Sequence, residues 1–176
     1  MPKINRIDQV PSDKGNYIAG FVDGEGSFYF TARPRKDFPS GWKFSLAFNI
    51  SQNEEMILNI CKKYFGCGQI REAEAGKYIL EINNKKNLEN FIIPFFQRFS
   101  FLSTKKKYEF AVFQRFLKQL DLPICNENDL QIILKFRKEL SKYRKDRSKN
   151  TDEQILQTYI YPSSPSLPLC DKDRAH

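Results

Sequence analysis

Tyr17-Ile-Ala-Gly20-Phe-Val-Asp23-Gly-Glu25-Gly-Ser27-Phe-Tyr-Phe-Thr-Ala-Arg-Pro-Arg35 changes its period part-way along. Up to Val22 the apolar residues suit a short helix, capped by Ser12 or Asp13 and stopped by Gly24 and Gly26. From Ser27 the pattern alternates: Phe28, Phe30 and Ala32 point one way, and Tyr29, Thr31, Arg33 and Arg35 the other. Lys43 to Ser51 repeats it, with Phe44, Leu46, Phe48 and Ile50 inward and Lys43, Ser45, Ala47 and Asn49 outward. Period-two alternation of this length marks half-buried strands, and Lys36-Asp-Phe-Pro-Ser-Gly41 supplies the hairpin loop between them.

Outward from this hairpin, Ser51-Gln-Asn-Glu54 reads as a capping box opening a helix to Gly66, with Met56, Ile57, Ile60, Cys61 and Tyr64 at helical spacing. Short strands follow near Gly68–Arg71 and Lys77–Ile82, turning at Ala75-Gly76. A helix from about Lys85 ends at Pro94, another runs from about Thr104 to Leu120, and a third from about Asp129 to Lys145. In the third, Leu130, Ile133, Leu134, Arg137 and Leu140 are in register. The order α-β-β-α-β-β-α followed by helices predicts an α+β fold with one mainly antiparallel sheet. Residues 1–11 read as a flexible leader, 12–160 as a single domain, and 161–176, rich in Pro and Ser, as a disordered tail.

The 176-residue chain carries 29 Lys+Arg against 21 Asp+Glu, a net charge of +8. A polyanion is therefore the expected partner, either nucleic acid or an anionic membrane surface. No apolar run approaches the ~18 residues of a membrane span, and the N-terminus lacks a signal-peptide core. Cys61, Cys67, Cys125 and Cys170 are scattered, which argues against a zinc site or disulfide framework and for reduced thiols in an intracellular protein. The only histidine is His176. Any chemistry falls to carboxylates, lysines or a metal.

The outward strand face gathers Tyr29, Thr31, Arg33, Arg35, Lys43, Ser45 and Asn49, extended by Arg71 and Lys77. It reads either as ordinary solvated surface or as a ribbon for a DNA major groove, where such side chains reach base edges. A second basic set, Lys135, Arg137, Lys138, Lys142, Arg144, Lys145, Arg147 and Lys149, suits a solvated helix end or a phosphate clamp. Gly20 and Gly24, four apart, clear one helix face for close approach by another helix. Asp23 and Glu25 lie at a helix C-terminus, where the dipole disfavours acids. An incidental turn has to explain that placement, and a Gly-rich phosphate loop is a weaker reading still, because the helix precedes the glycines and the full G-x-G-x-x-G is absent.

Ile18-Ala-Gly-Phe-Val-Asp-Gly-Glu-Gly26, with Tyr17 before it and Ser27 after it, resembles the signature of the LAGLIDADG homing endonucleases. The strand ending in Gln52, the Tyr64-Phe-Gly-Cys-Gly68 segment and Leu102-Ser-Thr-Lys-Lys-Lys107 are similar to further family segments, in order, over about residues 11–120. The resemblance implies an αββαββα fold with a saddle-shaped antiparallel sheet, helices packed on one face, and additional C-terminal helices. A single motif resembles the homodimeric branch, its interface at Tyr17, Gly20, Phe21 and Gly24. The implied function is site-specific cleavage of double-stranded DNA at a long pseudo-palindromic target. Glu25 and the Gly24 carbonyl would hold Mg²⁺ (or Mn²⁺ or Ca²⁺), Gln52 would organise water, and Lys105 or Lys106 would stabilise phosphate charge. Tyr29, Thr31, Arg33, Arg35, Lys43, Ser45, Asn49, Arg71 and Lys77, with Lys142, Arg144 and Lys145, would contact DNA. The acid is Glu where Asp is commoner, and Met56 and Ile57 stand where some relatives carry an arginine. The alternatives on the same fold are a splicing maturase that binds its own intron RNA, or a non-catalytic DNA-binding regulator. Family habit implies an intracellular protein of an organelle (chloroplast or mitochondrion) or a microbial cytoplasm, with no membrane partner.

Overall fold

The alternation at Ser27 is realised as a turn from helix directly into sheet. The computed structural model describes residues 7–143 and 149–162. After a 3₁₀ turn at Ile7–Gln9 come α1 (Ser12–Glu25), β1 (Gly26–Pro34), β2 (Trp42–Gln52), α2 (Glu55–Phe65), β3 (Gln69–Glu74) and β4 (Lys77–Ile82). Then follow α3 (Lys85–Asn87), a π-helical turn (Leu88–Ile92), α4 (Ile93–Arg98), α5 (Thr104–Gln119), α6 (Glu127–Ser141) and α7 (Asp152–Thr158). The sheet order is β1-β2-β4-β3, and β4 pairs antiparallel with both β2 and β3. This is the expected α+β order. Among the described residues no helix is long and apolar enough to cross a membrane.

The chain divides into two compact units. The first comprises the chain to Tyr29 together with Leu46–Gln114. Its core is aromatic: the Phe28 ring lies 4.8 Å from Phe113, 5.0 Å from Phe48 and 5.6 Å from Phe110, and Phe48 continues to Phe65 at 5.8 Å. Such tilted and edge-on pairs add about 0.5–1.5 kcal/mol each beyond area burial. Around them α1 buries Ile18, Ala19 and Val22, and β4 buries Leu80 and Ile82. Gly15 is buried too, and a Cβ there would overlap the Phe99 ring.

The second unit comprises Phe30–Ser45 and the chain from Arg115 onward. Here α6 and α7 pack against the hairpin. Trp42, Leu130, Leu134 and Ile155 form the buried cluster, with Ala32, Phe44, Tyr159 and Tyr161 against it. Trp42 Nε1 donates to Thr158 Oγ1 (3.0 Å), Asn150 Nδ2 to the Ala32 carbonyl (2.9 Å), and the Ile160 amide to the Ser40 carbonyl (3.0 Å). Arg137 is buried in an ion pair with Asp152 (2.9 Å) and donates to the Asn150 carbonyl (2.7 Å). That cation holds the fold together and is not available as a phosphate clamp.

Several local expectations are corrected. Helix α1 starts at Ser12, with Pro11 in the cap position and no side-chain cap bond, and it runs through Gly24 to Glu25. Ser51 is still in β2, opposite Ile79, so no capping box opens α2. The α2 stripe is rotated: Leu58, Cys61 and Phe65 face inward, leaving Met56 and Ile60 exposed. Helical structure continues past Pro94, because the π-helical turn Leu88–Ile92 runs straight into α4 with Ile92 still helical, and that irregular turn precedes the proline. Ala47, expected outward, is buried. Helix α7, with its Thr151–Gln154 capping box, lies where no element was expected, and Tyr161, assigned to the tail, packs against the second core. Burial pushes the Cys61 and Cys67 thiols up to about 12, which keeps them protonated. Cys125 is disulfide-bonded, against the expectation of reduced thiols throughout; one bridge at a loop cysteine needs no framework of paired cysteines.

Because Trp42 is the sole tryptophan, its fluorescence reports on the second unit directly. Ile155→Ala is expected to lower the stability of that unit by about 2–5 kcal/mol, read as an earlier denaturant midpoint of Trp42 emission. An unchanged midpoint would show that α7 contributes nothing to the hairpin's support.

Candidate active site at the end of the motif helix

Two acids close α1, and the structure gives them different fates. The Asp23 carboxylate turns back into the protein and accepts from the backbone amides of Leu102 (3.0 Å) and Ser103 (2.8 Å) and from the Ser103 hydroxyl. Those donors belong to the segment leading into α5, and Ser103 Oγ in turn accepts from the Lys106 amide (3.1 Å). Asp23 therefore satisfies amide groups at the start of the next helix, and this interaction outweighs its poor position on α1. Partial burial opposes its ionisation, but the bonds from Ser103 and Leu102 and the charge of Lys106 prevail and hold Asp23 below the usual carboxylate value.

Lys106 completes the clasp. It is buried, and its Nζ donates to the Gly26 carbonyl (2.6 Å) and to buried Glu109 (3.1 Å). The backbone just after Glu25 is thereby tied to α5. Lys105 and Lys107 are exposed. Within the lysine run, then, Lys106 positions the acid-bearing turn, and Lys105 is the candidate with a side chain available to a substrate. Glu25 itself is exposed at the helix end. Gln52, at the end of β2, is half-buried and accepts from the Asn53 amide (3.1 Å). The structure thus joins Lys106 to the motif and turns Gln52 toward its own loop.

The helix face expected to meet a second copy is open. Tyr17 is exposed, and a Cβ built on Gly20 or Gly24 meets nothing within 4 Å.

In the first unit, the outward sheet face carries Tyr29, Asn49, Arg71 and Lys77. Asn49 lies opposite Glu81 and Arg71 opposite Ile79, and Lys77 shares the β4 face of Ile79 and Glu81. Tyr29 donates its hydroxyl to Glu81, an acid on this face that strand reading alone missed. In the second unit, Arg33 and Lys43 are exposed, and Thr31 Oγ1 donates to the Ser45 carbonyl (3.4 Å). Arg35 lies beyond β1, in the hairpin loop, forked onto Asp37 at 2.6 and 2.7 Å. Arg35 and Lys43 also approach the Phe38 ring, at 5.7 and 5.8 Å. Lys142 is exposed just past α6; Arg144 and Lys145 lie outside the described residues.

The clasp has a pH signature. Because the folded value of Asp23 lies below its ordinary value of 3.8, its stabilisation is full above that value and lost as pH falls through the folded one. The stability gap between the parent chain and Asp23→Asn should be constant near neutrality and close only in acid. A gap that does not vary with pH would contradict an ionised clasp.

A family model described as LAGLIDADG endonuclease matches residues 18–117. The DNA endonuclease I-CeuI of Chlamydomonas moewusii is 29% identical over 124 residues, which cover 66% of this chain and 57% of that protein. The homing endonuclease I-ApeII of Aeropyrum pernix is 25% identical over 148 residues, covering 80% and 86%. Among solved structures, the archaeal intron-encoded homing endonuclease I-Vdi141I complexed with DNA superposes with a TM-score of 0.73 at 26% identity, covering 83% of this chain and 94% of the other. With more than half of its length matched by the family model, this chain belongs to the LAGLIDADG endonucleases.

Proposed function

We propose that this chain is a site-specific DNA endonuclease that works as a homodimer on a long pseudo-palindromic target, with one Glu25 serving each strand. The observation that carries the reading is the division of labour at the end of α1. Asp23 is consumed by the fold, whereas Glu25, two residues on, stands exposed on a turn that Lys106 fixes. A binding protein gains nothing from an acid beside phosphates; a phosphodiesterase uses one.

Among the described residues no three His, Cys, Asp or Glu side chains gather to hold a metal. What α1 offers is the Glu25 carboxylate and the Gly24 carbonyl, both hard oxygen donors of the kind that Mg²⁺, Mn²⁺ and Ca²⁺ take. This set fits a half-site, with the remaining ligands coming from DNA phosphate, water and a second copy. A cation so held supplies Lewis acidity toward water and phosphate. In this scheme Lys105 offsets developing phosphate charge, and Gln52 orients water through its amide.

Binding falls to the strand faces. Tyr29, Asn49, Arg71 and Lys77 on the first unit, and Thr31, Arg33, Lys43 and Ser45 on the second, present donors and acceptors suited to base edges and phosphates. Arg35 has to exchange Asp37 for phosphate, an exposed pair that costs little to break. Lys142, with Arg144 and Lys145, adds sequence-independent charge. In this proposal the gene lies in an organellar or microbial intron, a reading supported by relatives described as intron-encoded.

The test is cleavage of a plasmid library of randomised sites, with Mg²⁺ or EDTA, followed by sequencing of the ends. Mg²⁺-dependent cuts at one pseudo-palindrome are expected, and specific retention of DNA or RNA without cuts would overturn the enzyme reading. On the recovered site, Glu25→Gln should abolish cleavage and leave affinity equal or higher. Asp37→Ala should release Arg35, raise affinity for all sequences alike, and steepen the salt dependence by about one counterion, as read by filter binding over a salt series.

A further inference from the structure

Glu81 stands in the middle of a sheet face that otherwise suits a polyanion. Strand β4 lies between β2 and β3, and the register sets Glu81 directly between Asn49 on β2 and Gln69 on β3. Tyr29 donates its hydroxyl to Glu81 Oε1, and the Asn83 side-chain amide approaches Oε2 at 3.5 Å. Both oxygens are thus held by neutral groups, which orient the carboxylate and leave its charge in place. On a chain of net charge +8, that charge works against phosphate binding. The core does not ask for it either, since Leu80 and Ile82 on the other side of β4 make the buried contacts. Glu74, on the same side as Glu81, differs in sitting at the β3–β4 turn opposite a cation, Lys77.

Base edges, unlike phosphates, include donors. In the major groove cytosine offers its N4 amino group, and adenine offers N6 beside the acceptor N7. Guanine N7 and O6 and thymine O4 are acceptors. A carboxylate accepts and cannot donate, so it repels guanine and thymine, half-matches adenine and matches cytosine. Each carboxylate oxygen takes about two hydrogen bonds, so the bond from Tyr29 leaves Oε1 room for a base. Position favours the same partner. Strands lie ~4.8 Å apart, so the row Asn49–Glu81–Gln69 is about 10 Å wide, within a groove of about 12 Å. The middle of such a row is farthest from both phosphate walls, where an acid costs least.

We infer that Glu81 is a specificity-determining residue that selects cytosine by accepting from its N4 amino group. Tyr29 is its positioning residue: the hydroxyl presents a carboxylate that would otherwise wander over several rotamers. Asn49 and Gln69 carry amides that both donate and accept, so the discrimination in this row falls to Glu81. The inference rests on the DNA-binding part of the reading above, and not on cleavage.

Selection of bound duplexes from a randomised pool, with the full-length chain in Ca²⁺ or EDTA, tests it by sequencing. The parent should enrich one cytosine in each half-site. Glu81→Gln and Glu81→Ala should lose that preference and keep the others, and Tyr29→Phe should weaken the same one. On the enriched duplex, replacing this cytosine with 2-pyrimidinone, which lacks the 4-amino group, should weaken the parent about tenfold and Glu81→Ala by less than about twofold. Variant affinity for unselected duplex equal to or above the parent's shows that the fold is intact. A Glu81→Ala profile identical to the parent's, or 2-pyrimidinone bound by the parent as tightly as cytosine, would overturn the inference and leave site-specific binding standing. Loss of every preference together would make Glu81 a structural residue and equally overturn it. A parent that enriches no sequence overturns both readings.

Discussion

The fold hangs on the clasp between the end of α1 and the start of α5. Asp23 gives up its carboxylate to the amides of Leu102 and Ser103, and Lys106 returns a cation to the Gly26 carbonyl. Helix, turn and first strand are thus locked to an element some 80 positions away in sequence. Without that lock, a carboxylate two residues further along would sweep a wide volume on a fraying helix end. With it, Glu25 is exposed and yet placed. Pre-set geometry of this kind is what hydrolysis of a phosphodiester requires, since the reacting groups must be held to within a fraction of an ångström.

The same economy governs the hairpin. A two-stranded ribbon is marginally stable by itself, and a ribbon that reads DNA must hold its side chains in register. In the second unit, α6 and α7 supply the missing support through Trp42, Leu130, Leu134 and Ile155 and through hydrogen bonds from Asn150 and Ile160. The buried Arg137–Asp152 pair joins α6 to α7. The later part of the chain, in which the sequence offered only a basic helix end and a tail, is therefore structural support for the surface that carries Arg33 and Lys43.

Much of this was legible because strong periods leave little choice. Alternation in the sequence marked the nine- and eleven-residue strands, with Ala47 the inward exception, and the buried set of α6 was read residue for residue. The motif was legible for another reason: acids at a helix C-terminus are costly, and cost points to purpose. What stayed hidden depended on tertiary context. On α2, apolar residues occupy both sides, so periodicity could not tell the core stripe from the exposed one. Ser51 matched a capping pattern, but the β2 ladder claimed it first. In the lysine run three identical neighbours left the register open until Gly26 and Glu109 selected Lys106. Glu81 entered the polar face only through strand pairing. Asp23 and Glu25 shared type and place at the helix end, and only its partners show that Asp23 is structural.

Native-state hydrogen exchange at the Leu102 and Ser103 amides tests the clasp most directly. Both residues are exposed and precede α5, so unclasped amides would exchange at rates typical of a surface loop. A working clasp predicts protection comparable to that of the α1 amides near neutral pH, collapsing in Asp23→Asn. Loop-like exchange in the parent chain would mean that Asp23 does not hold the turn, and the division of labour between Asp23 and Glu25 would have to be abandoned.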